Sequence, residues 1–344
     1  LAEIDDDSMA SSQNLDVEAT DKTIGAENPY QSFRRKQLMG ELPRIDPGSE
    51  HSQFEVNQTI GQGGLGVVRL ARQTSLFRDV ALKTIRPEMM GGPATQELLQ
   101  ESWVTGMLEH PNIVPVHALG VDEHDSPMLV MKRVEGVSWG EALSEEDDLP
   151  NALRGGRDRL DNHLDILIQV CNAIEFAHSK GIIHCDLKPE NVMLGAYGEV
   201  YVVDWGIAVA MADDGTGRLP VAEDVDEVVG TPACIAPELA EGEGDKIDER
   251  TDVYLLGAVL HEVVTGEPRH QANSMMATLL EAYQSEPVDY GDDIDDELAN
   301  ICNRATHAEP SERFESVEDF RHALVDFSQH RDSLRLSGRA QSRL

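Results

Sequence analysis

Asp186, Lys188, Asn191 and Asp204 are the residues whose types and spacing could do chemistry. The first three lie in His184-Cys185-Asp186-Leu187-Lys188-Pro189-Glu190-Asn191, and Asp204 follows thirteen residues after Asn191 in Val203-Asp204-Trp205-Gly206. Phosphoryl transfer needs such a set: a carboxylate to take a hydroxyl proton, a cation near the migrating phosphate, and oxygen ligands for Mg²⁺.

Two further clusters fit the same chemistry. Gly61-Gln62-Gly63-Gly64-Leu65-Gly66-Val67-Val68 has glycines at 61, 63 and 66, spacing that lets backbone N–H groups approach a phosphate. A dinucleotide fold uses similar spacing, but there a helix follows the glycines, whereas here the pattern that follows is a strand. Val80-Ala81-Leu82-Lys83 ends an apolar strand in a lysine. A lysine so placed usually lies at a solvated edge; a functional one needs a carboxylate partner. Glu101 on the following helix is one candidate, and Glu97, one turn earlier, is its rival.

The elements that must position these residues fall into two parts. Strand-like runs cover Phe54 to Ile60, Val67 to Ala71, Asp79 to Ile85, Ile113 to Ala118 and Met128 to Val134. Among them, Leu98, Leu99, Trp103, Met107 and Leu108 recur at helical spacing until His110-Pro111. After about Gly136 the pattern is helical. Leu164, Leu167, Ile168, Cys171 and Ile174 share one face, with Gly181 as a stop. Thr251 to Val264 reads as a buried helix, and Ser316 with Asp319 begins another that carries Phe320, Leu324 and Phe327. A β-rich part followed by an α-rich part predicts an α+β fold of two lobes with a cleft between them.

Together these motifs identify a resemblance to the eukaryotic-like (Hanks-type) serine/threonine protein kinase family, bacterial members above all, over about Phe54 to Phe327. The resemblance implies the bilobal protein-kinase fold with ATP between the lobes. Gly61, Gly63 and Gly66 would cover the phosphates; Lys83 would hold the α- and β-phosphates and pair with Glu101. Asp186 would be the catalytic base and Lys188, the family's serine/threonine mark, would steady the γ-phosphate. Asn191 and Asp204 would bind Mg²⁺, with Mn²⁺ as an alternative metal. Val68, Ala81 and Met193 would sandwich the adenine, Met131 would back the pocket, and the backbones of Lys132 and Val134 would meet the adenine edge. Glu238, in Ala236-Pro237-Glu238, would pair with Arg313, and Asp252 would anchor the catalytic loop.

Two positions depart from the family pattern. Trp205 stands where Phe is usual and, as a large ring, should preserve packing. Cys185 stands where the family has an Arg that pairs with a phosphorylated residue of the activation segment, and a thiol cannot do that. Between Asp204 and Glu238 the phosphorylatable residues are Thr216 and Thr231, and Thr231 matches a position that contacts the catalytic pair. Glu223, Asp224, Asp226 and Glu227 make the segment acidic already. The expectation is activity independent of phosphorylation there. The rival readings are an ATP-binding pseudokinase scaffold and a small-molecule phosphotransferase. The first would need a missing catalytic group, and the second generally lacks the Ala-Pro-Glu segment and its Arg partner.

Composition bounds the rest. The formal net charge of −36, with seven lysines and twenty-one arginines, argues against nucleic acid as a partner. Protein substrates carrying Ser or Thr are the expected partners, and the oligomeric state is left open. No stretch approaches the roughly eighteen apolar residues of a membrane-spanning helix. No cationic leader with an apolar core is present. Four scattered cysteines without a Cys-x-x-Cys pair suit a reducing compartment, so cytoplasm is expected. Residues 1–52 read as an acidic, disordered tail, 53–328 as the kinase domain (lobes meeting near 135/136), and 329–344 as a tail or the start of a linker helix. With Leu rather than Met first, the chain reads as a fragment of something longer.

Overall fold

The computed structural model describes residues 37–45, 53–63, 66–145, 148–154 and 158–341, with side chains to 337. Its first part is a five-stranded antiparallel sheet in the order β1-β2-β3-β5-β4. The strands are β1 (Phe54–Gln62), β2 (Gly66–Gln73), β3 (Arg78–Ile85), β4 (Val116–Val121) and β5 (Pro127–Lys132). Each lies next to its sequence neighbour except that β5 inserts between β3 and β4. Helix α1 (Pro93–Met107) follows β3; Pro93 in its first turn is preset for a helix start, where a missing N–H costs nothing.

Alternation along the strands gives the sheet two apolar faces. Phe54, Ala71, Val80, Leu82, Met128 and Val130 form the outer core, with Ile45 packed on it. Ile85, Leu129 and, from α1, Ala94 and Leu98 form the inner one. Residues 43–45, expected in the tail, instead lie along β4: Ile45 N–H donates to Val121 O at 2.8 Å and Val121 N–H to Pro43 O at 3.0 Å. They cover what would be an open sheet edge. Residues 37–40, within the stretch read as tail, are helical.

Most strand ends shift by one to three residues from expectation, and two of the shifts bear on the junction between lobes. The fourth strand starts at Val116, not Ile113. Ile113 makes an isolated bridge with Val202 in the second lobe instead, and Pro115, without an N–H, separates the two pairings. The fifth strand ends at Lys132 rather than Val134, because the chain there turns into the link between lobes.

The second lobe is built from helices: α2 (Trp139–Ser144), α3 (Arg159–His178), α4 (Pro237–Glu241), α5 (Glu249–Thr265), α6 (Met275–Gln284), α7 (Asp296–Ala305) and α8 (Val317–Gln341). A small sheet, β6 (Gly136–Ser138), β8 (Val192–Gly195) and β9 (Val200–Val202), pairs in the order β6-β8-β9, while β7 (Ile182–Ile183) pairs with β10 (Val209–Ala210). Local chemistry sets the helix ends. Asp248 and Thr251 form a capping box at the start of α5, and Gly266 closes it at φ 79°, the left-handed region that favours glycine. Asp319 N–H donates to Ser316 Oγ at the start of α8. One core, containing Leu164, Leu167, Tyr254, Leu256, Phe320 and Phe327, joins α3, α5 and α8.

Candidate active site

Strand register brings the cleft residues of the first lobe onto one face. Lys83 pairs with Val68 on one side and Leu129 on the other, while Ala81 pairs with Leu70 and Met131. Val68, Ala81, Lys83 and Met131 therefore point the same way, toward the face that α1 packs on. Lys83 Nζ donates to Glu101 Oε2 at 2.6 Å, and Glu101 is nearly buried. Glu97 instead lies by Gly206, where a Cβ would come within 3.6 Å of the Glu97 Cβ. Asp204 Oδ1 is 3.9 Å from the same Lys83 ammonium, so two carboxylates from different lobes share one cation.

The glycine turn is held on both sides. Gly63 N–H donates to Gly66 O at 3.0 Å, and Arg86 Nη2 donates to Gly63 O at 2.6 Å. Gly66 has no room for a side chain, since a Cβ there would sit 2.8 Å from the Thr84 carbonyl oxygen. Residues 64 and 65, the tip between them, lie outside the described residues.

In the second lobe, the segment from His184 to Asn191 folds back around Asp186. Thr231 Oγ donates to Asp186 Oδ1 at 2.7 Å, and Lys188 Nζ donates both to Asp186 Oδ2 at 3.1 Å and to Thr231 Oγ at 2.6 Å. The Asn191 amide N–H₂ donates to the Asp186 backbone carbonyl at 2.8 Å and to Oδ2 at 3.1 Å. That spends the amide nitrogen and leaves the Asn191 carbonyl oxygen as a hard ligand. Asp204 sits at φ 63°, and Val203 N–H donates to Asn191 O at 2.9 Å, so the residues that carry the two oxygen donors flank one end of the β8–β9 ladder, Asn191 just before β8 and Asp204 just after β9. An amide carbonyl and a carboxylate so placed fit Mg²⁺ or Mn²⁺.

His184 underlies this loop. Burial pulls its pKa down against the opposing pull of Asp252, Asp186 and Asp204. The neutral ring accepts the Asp186 N–H at Nδ1 (3.2 Å) and donates from Nε2 to Val203 O (3.4 Å), a tautomer set by its two partners. Trp205 tilts over it with ring centroids 4.5 Å apart. Trp205 is fully buried, as a packing ring should be, but its indole N–H has no acceptor among the described residues. Phe would fill the same slot without an N–H that needs a partner to offset its burial.

Cys185 is also fully buried. Burial first, then the charges of Asp252, Glu238 and Asp186, push its thiol pKa well above the usual range, so it stays protonated. Thr216 lies at a surface turn, its hydroxyl donating to Asp214 Oδ1 at 2.7 Å. Glu238 and Arg313 form a buried two-pronged ion pair, Nη1 to Oε1 at 2.8 Å and Nη2 to Oε2 at 2.9 Å.

Met193 sits opposite Tyr201 in the β8–β9 ladder, and the link through Lys132 and Val134 runs between the lobes. Some residues that organise the site carried no sequence signal. Gln100 Nε2 on α1 donates to Ala208 O at 2.5 Å, bridging residues 108 apart and tying α1 to the strand after Gly206. A glutamine next to Glu101 on an amphipathic helix looks like any polar helix residue.

The model of the protein kinase domain matches residues 54–325. Three relatives show the same similarity. Serine/threonine-protein kinase PknB of Mycobacterium tuberculosis (strain H37Rv) is 32% identical over 286 residues, covering 81% of this chain and 43% of the relative. A probable serine/threonine-protein kinase, SCO3848, of Streptomyces coelicolor is 33% identical over 284 residues, 80% of this chain and 40% of the relative. Serine/threonine-protein kinase PknD of Chlamydia trachomatis is 30% identical over 308 residues, 80% of this chain and 32% of the relative. The chain thus spans less than half the length of these curated relatives. Among the described residues no helix is long and apolar enough to cross a membrane. With a matching domain model over most of its length and bacterial serine/threonine kinases as its homologues, the chain belongs to the protein kinase family.

Proposed function

We propose that this domain, residues 53–328, is an active kinase that transfers the γ-phosphoryl group of ATP to Ser and Thr hydroxyls of proteins, itself included. The observation that carries the reading is the Asp186–Lys188–Thr231 triangle, with all three contacts at 2.6–3.1 Å. A carboxylate fixed by the Thr231, Lys188 and Asn191 side chains is poised to take the proton of an incoming hydroxyl, and the ammonium beside it meets the charge that develops on the phosphoryl group. Lys83, oriented by Glu101, would bind the α- and β-phosphates. Val68, Ala81, Met131 and Met193, with the Lys132 and Val134 backbones, would hold the adenine. Asn191 and Asp204 would hold Mg²⁺, which draws charge from the phosphates when bound. Four free, buried thiols support a reducing compartment, the cytoplasm.

The scaffold reading requires a missing group, and Lys83, Asp186, Asn191 and Asp204 are all present. The Glu238–Arg313 pair favours a protein over a small-molecule acceptor. Cys185 supports activity without phosphorylation of the activation segment, since the triangle forms with no cation at 185. Incubation with γ-labelled ATP and Mg²⁺ beside a generic basic protein, a sugar and an aminoglycoside tests the reading. Label on Ser or Thr of protein alone is expected; label on the small molecules, or none anywhere, overturns it. Thr216→Ala should keep its turnover, and its loss in a folded protein would end the phosphorylation-independent reading.

A further inference from the structure

We propose that Lys132 and Tyr201 form a pin across the interlobe link that sets how tightly the cleft closes on nucleotide. The inference rests on the nucleotide-binding reading above. Lys132 ends β5, the last strand before the link, yet its side chain crosses to the second lobe. Its Nζ donates to the Tyr201 hydroxyl at 2.6 Å, stands 3.6 Å from Glu199 Oε1, and lies 4.6 Å from the Tyr201 ring centroid.

The strand registers give that contact its leverage. Met131, beside Lys132, lies opposite Ala81, and Tyr201 lies opposite Met193. Ala81 is the proposed roof of the adenine slot and Met193 its floor, so one side-chain bond couples the strands that carry them. The same region is anchored twice more. Lys132 N–H donates to Pro115 O at 2.9 Å, and Ala196 N–H to Glu135 O at 2.8 Å. Residues 112–114 lie on the far side of β9, where Val202 N–H donates to Asn112 O at 2.8 Å. Strand β9 is therefore a fixed post, and Tyr201 on it is 8% exposed.

An exposed ion pair contributes little by itself, but this ammonium meets a hydroxyl held by a buried ring. Burial pulls the Lys132 pKa down, and Tyr201 and Glu199 more than offset that pull, so the amine stays charged. Glu199 is held below the usual carboxylate range despite burial, by backbone N–H groups and by Lys132. Opening the cleft by rotation about the link would draw β5 away from β9 and break a bond with few ways to stretch. Lys132 and Tyr201 act through the cleft geometry, as positioning residues.

The test is calorimetric titration of MgATP into the wild-type chain, Tyr201→Phe, Lys132→Met, the double variant and Lys132→Arg. Each of the first two should weaken binding roughly fivefold, and in the Lys132→Met background Tyr201→Phe should be silent, because only one bond is there to lose. Lys132→Arg keeps a charged donor that can reach the Tyr201 hydroxyl and should lose less affinity than Lys132→Met. Lys132→Met leaves the buried ring untouched and so separates the pin from misfolding. Variants that bind like wild type, or single effects that multiply in the double variant, overturn the pin while leaving the nucleotide reading intact. A wild type that does not bind MgATP overturns both.

Discussion

Asp252 accepts the backbone N–H of Cys185 at 3.1 Å with the oxygen that does not already serve the His184 N–H and the His178 ring, both at 2.8 Å. One buried carboxylate thus holds the backbone on both sides of the 184–185 peptide. It also holds Cys185 at φ 65°, a conformation a non-glycine residue adopts only when its surroundings impose it. Burial would raise the Asp252 pKa, but His178, His184 and the backbone donors hold it down.

Asp252→Ala should therefore do more than remove a side chain. Three buried donors lose their acceptor, at about 1–3 kcal/mol each, so the expected loss is on the order of 3–5 kcal/mol with turnover falling alongside. Urea unfolding read beside the phosphotransfer assay checks this. A variant as stable and active as wild type would contradict the anchoring role.

The Glu238–Arg313 pair gives a second expectation. Arg313 also donates to the carbonyls of His307, Arg250 and Ala308, and Thr251 Oγ donates to Glu238, so every prong of the guanidinium is used. Arg313→Ala should destabilise by about 3–5 kcal/mol because it strands a buried carboxylate. Arg313→Lys should recover little of that, since an ammonium cannot replace the planar fork. Thermal unfolding of the two variants distinguishes this fork from a simple charge, which Lys would restore.

Glu262 supplies a pH-dependent case. Burial, then the charge of Glu190, pushes its carboxyl up to about 7. The folded state therefore binds a proton that the unfolded chain releases near pH 4.5. Its contribution to stability falls as pH rises from about 4.5 to 7 and stays low above that. Glu262→Gln removes the penalty, so its unfolding midpoint should exceed wild type by about 2–4 °C at pH 8 and match it near pH 5. Equal differences at both pH values would contradict the assignment.

The chemistry was the most legible part of the sequence, because Asp186, Lys188 and Asn191 belong to one short loop whose spacing survives without any tertiary context. From the residues alone the Lys83 partner was a choice between Glu97 and Glu101, one turn apart; the family resemblance pointed to Glu101, and the rotation of α1 against the sheet puts Glu101 there. Contacts such as Gln100 with Ala208, or Lys132 with Tyr201, join residues far apart in sequence and leave no local pattern. The start of β4 was misjudged for a related reason. Ile113 has strand character but spends it on Val202 in the other lobe, and periodicity cannot name a partner. Trp205 reads as an apolar ring in sequence; only its burial exposes the cost of the indole N–H.

As the proposed base, Asp186 would take the proton of the accepting hydroxyl, and γ-phosphoryl transfer by wild type beside Asp186→Asn tests this. The substitution keeps the size of the side chain and the Thr231 and Lys188 neighbours while removing the base. Label on Ser or Thr is expected in the wild type, with a fall of at least about a hundredfold in the variant and MgATP binding retained. Transfer by Asp186→Asn at near wild-type rate would contradict it, as would a wild type that binds MgATP and transfers nothing.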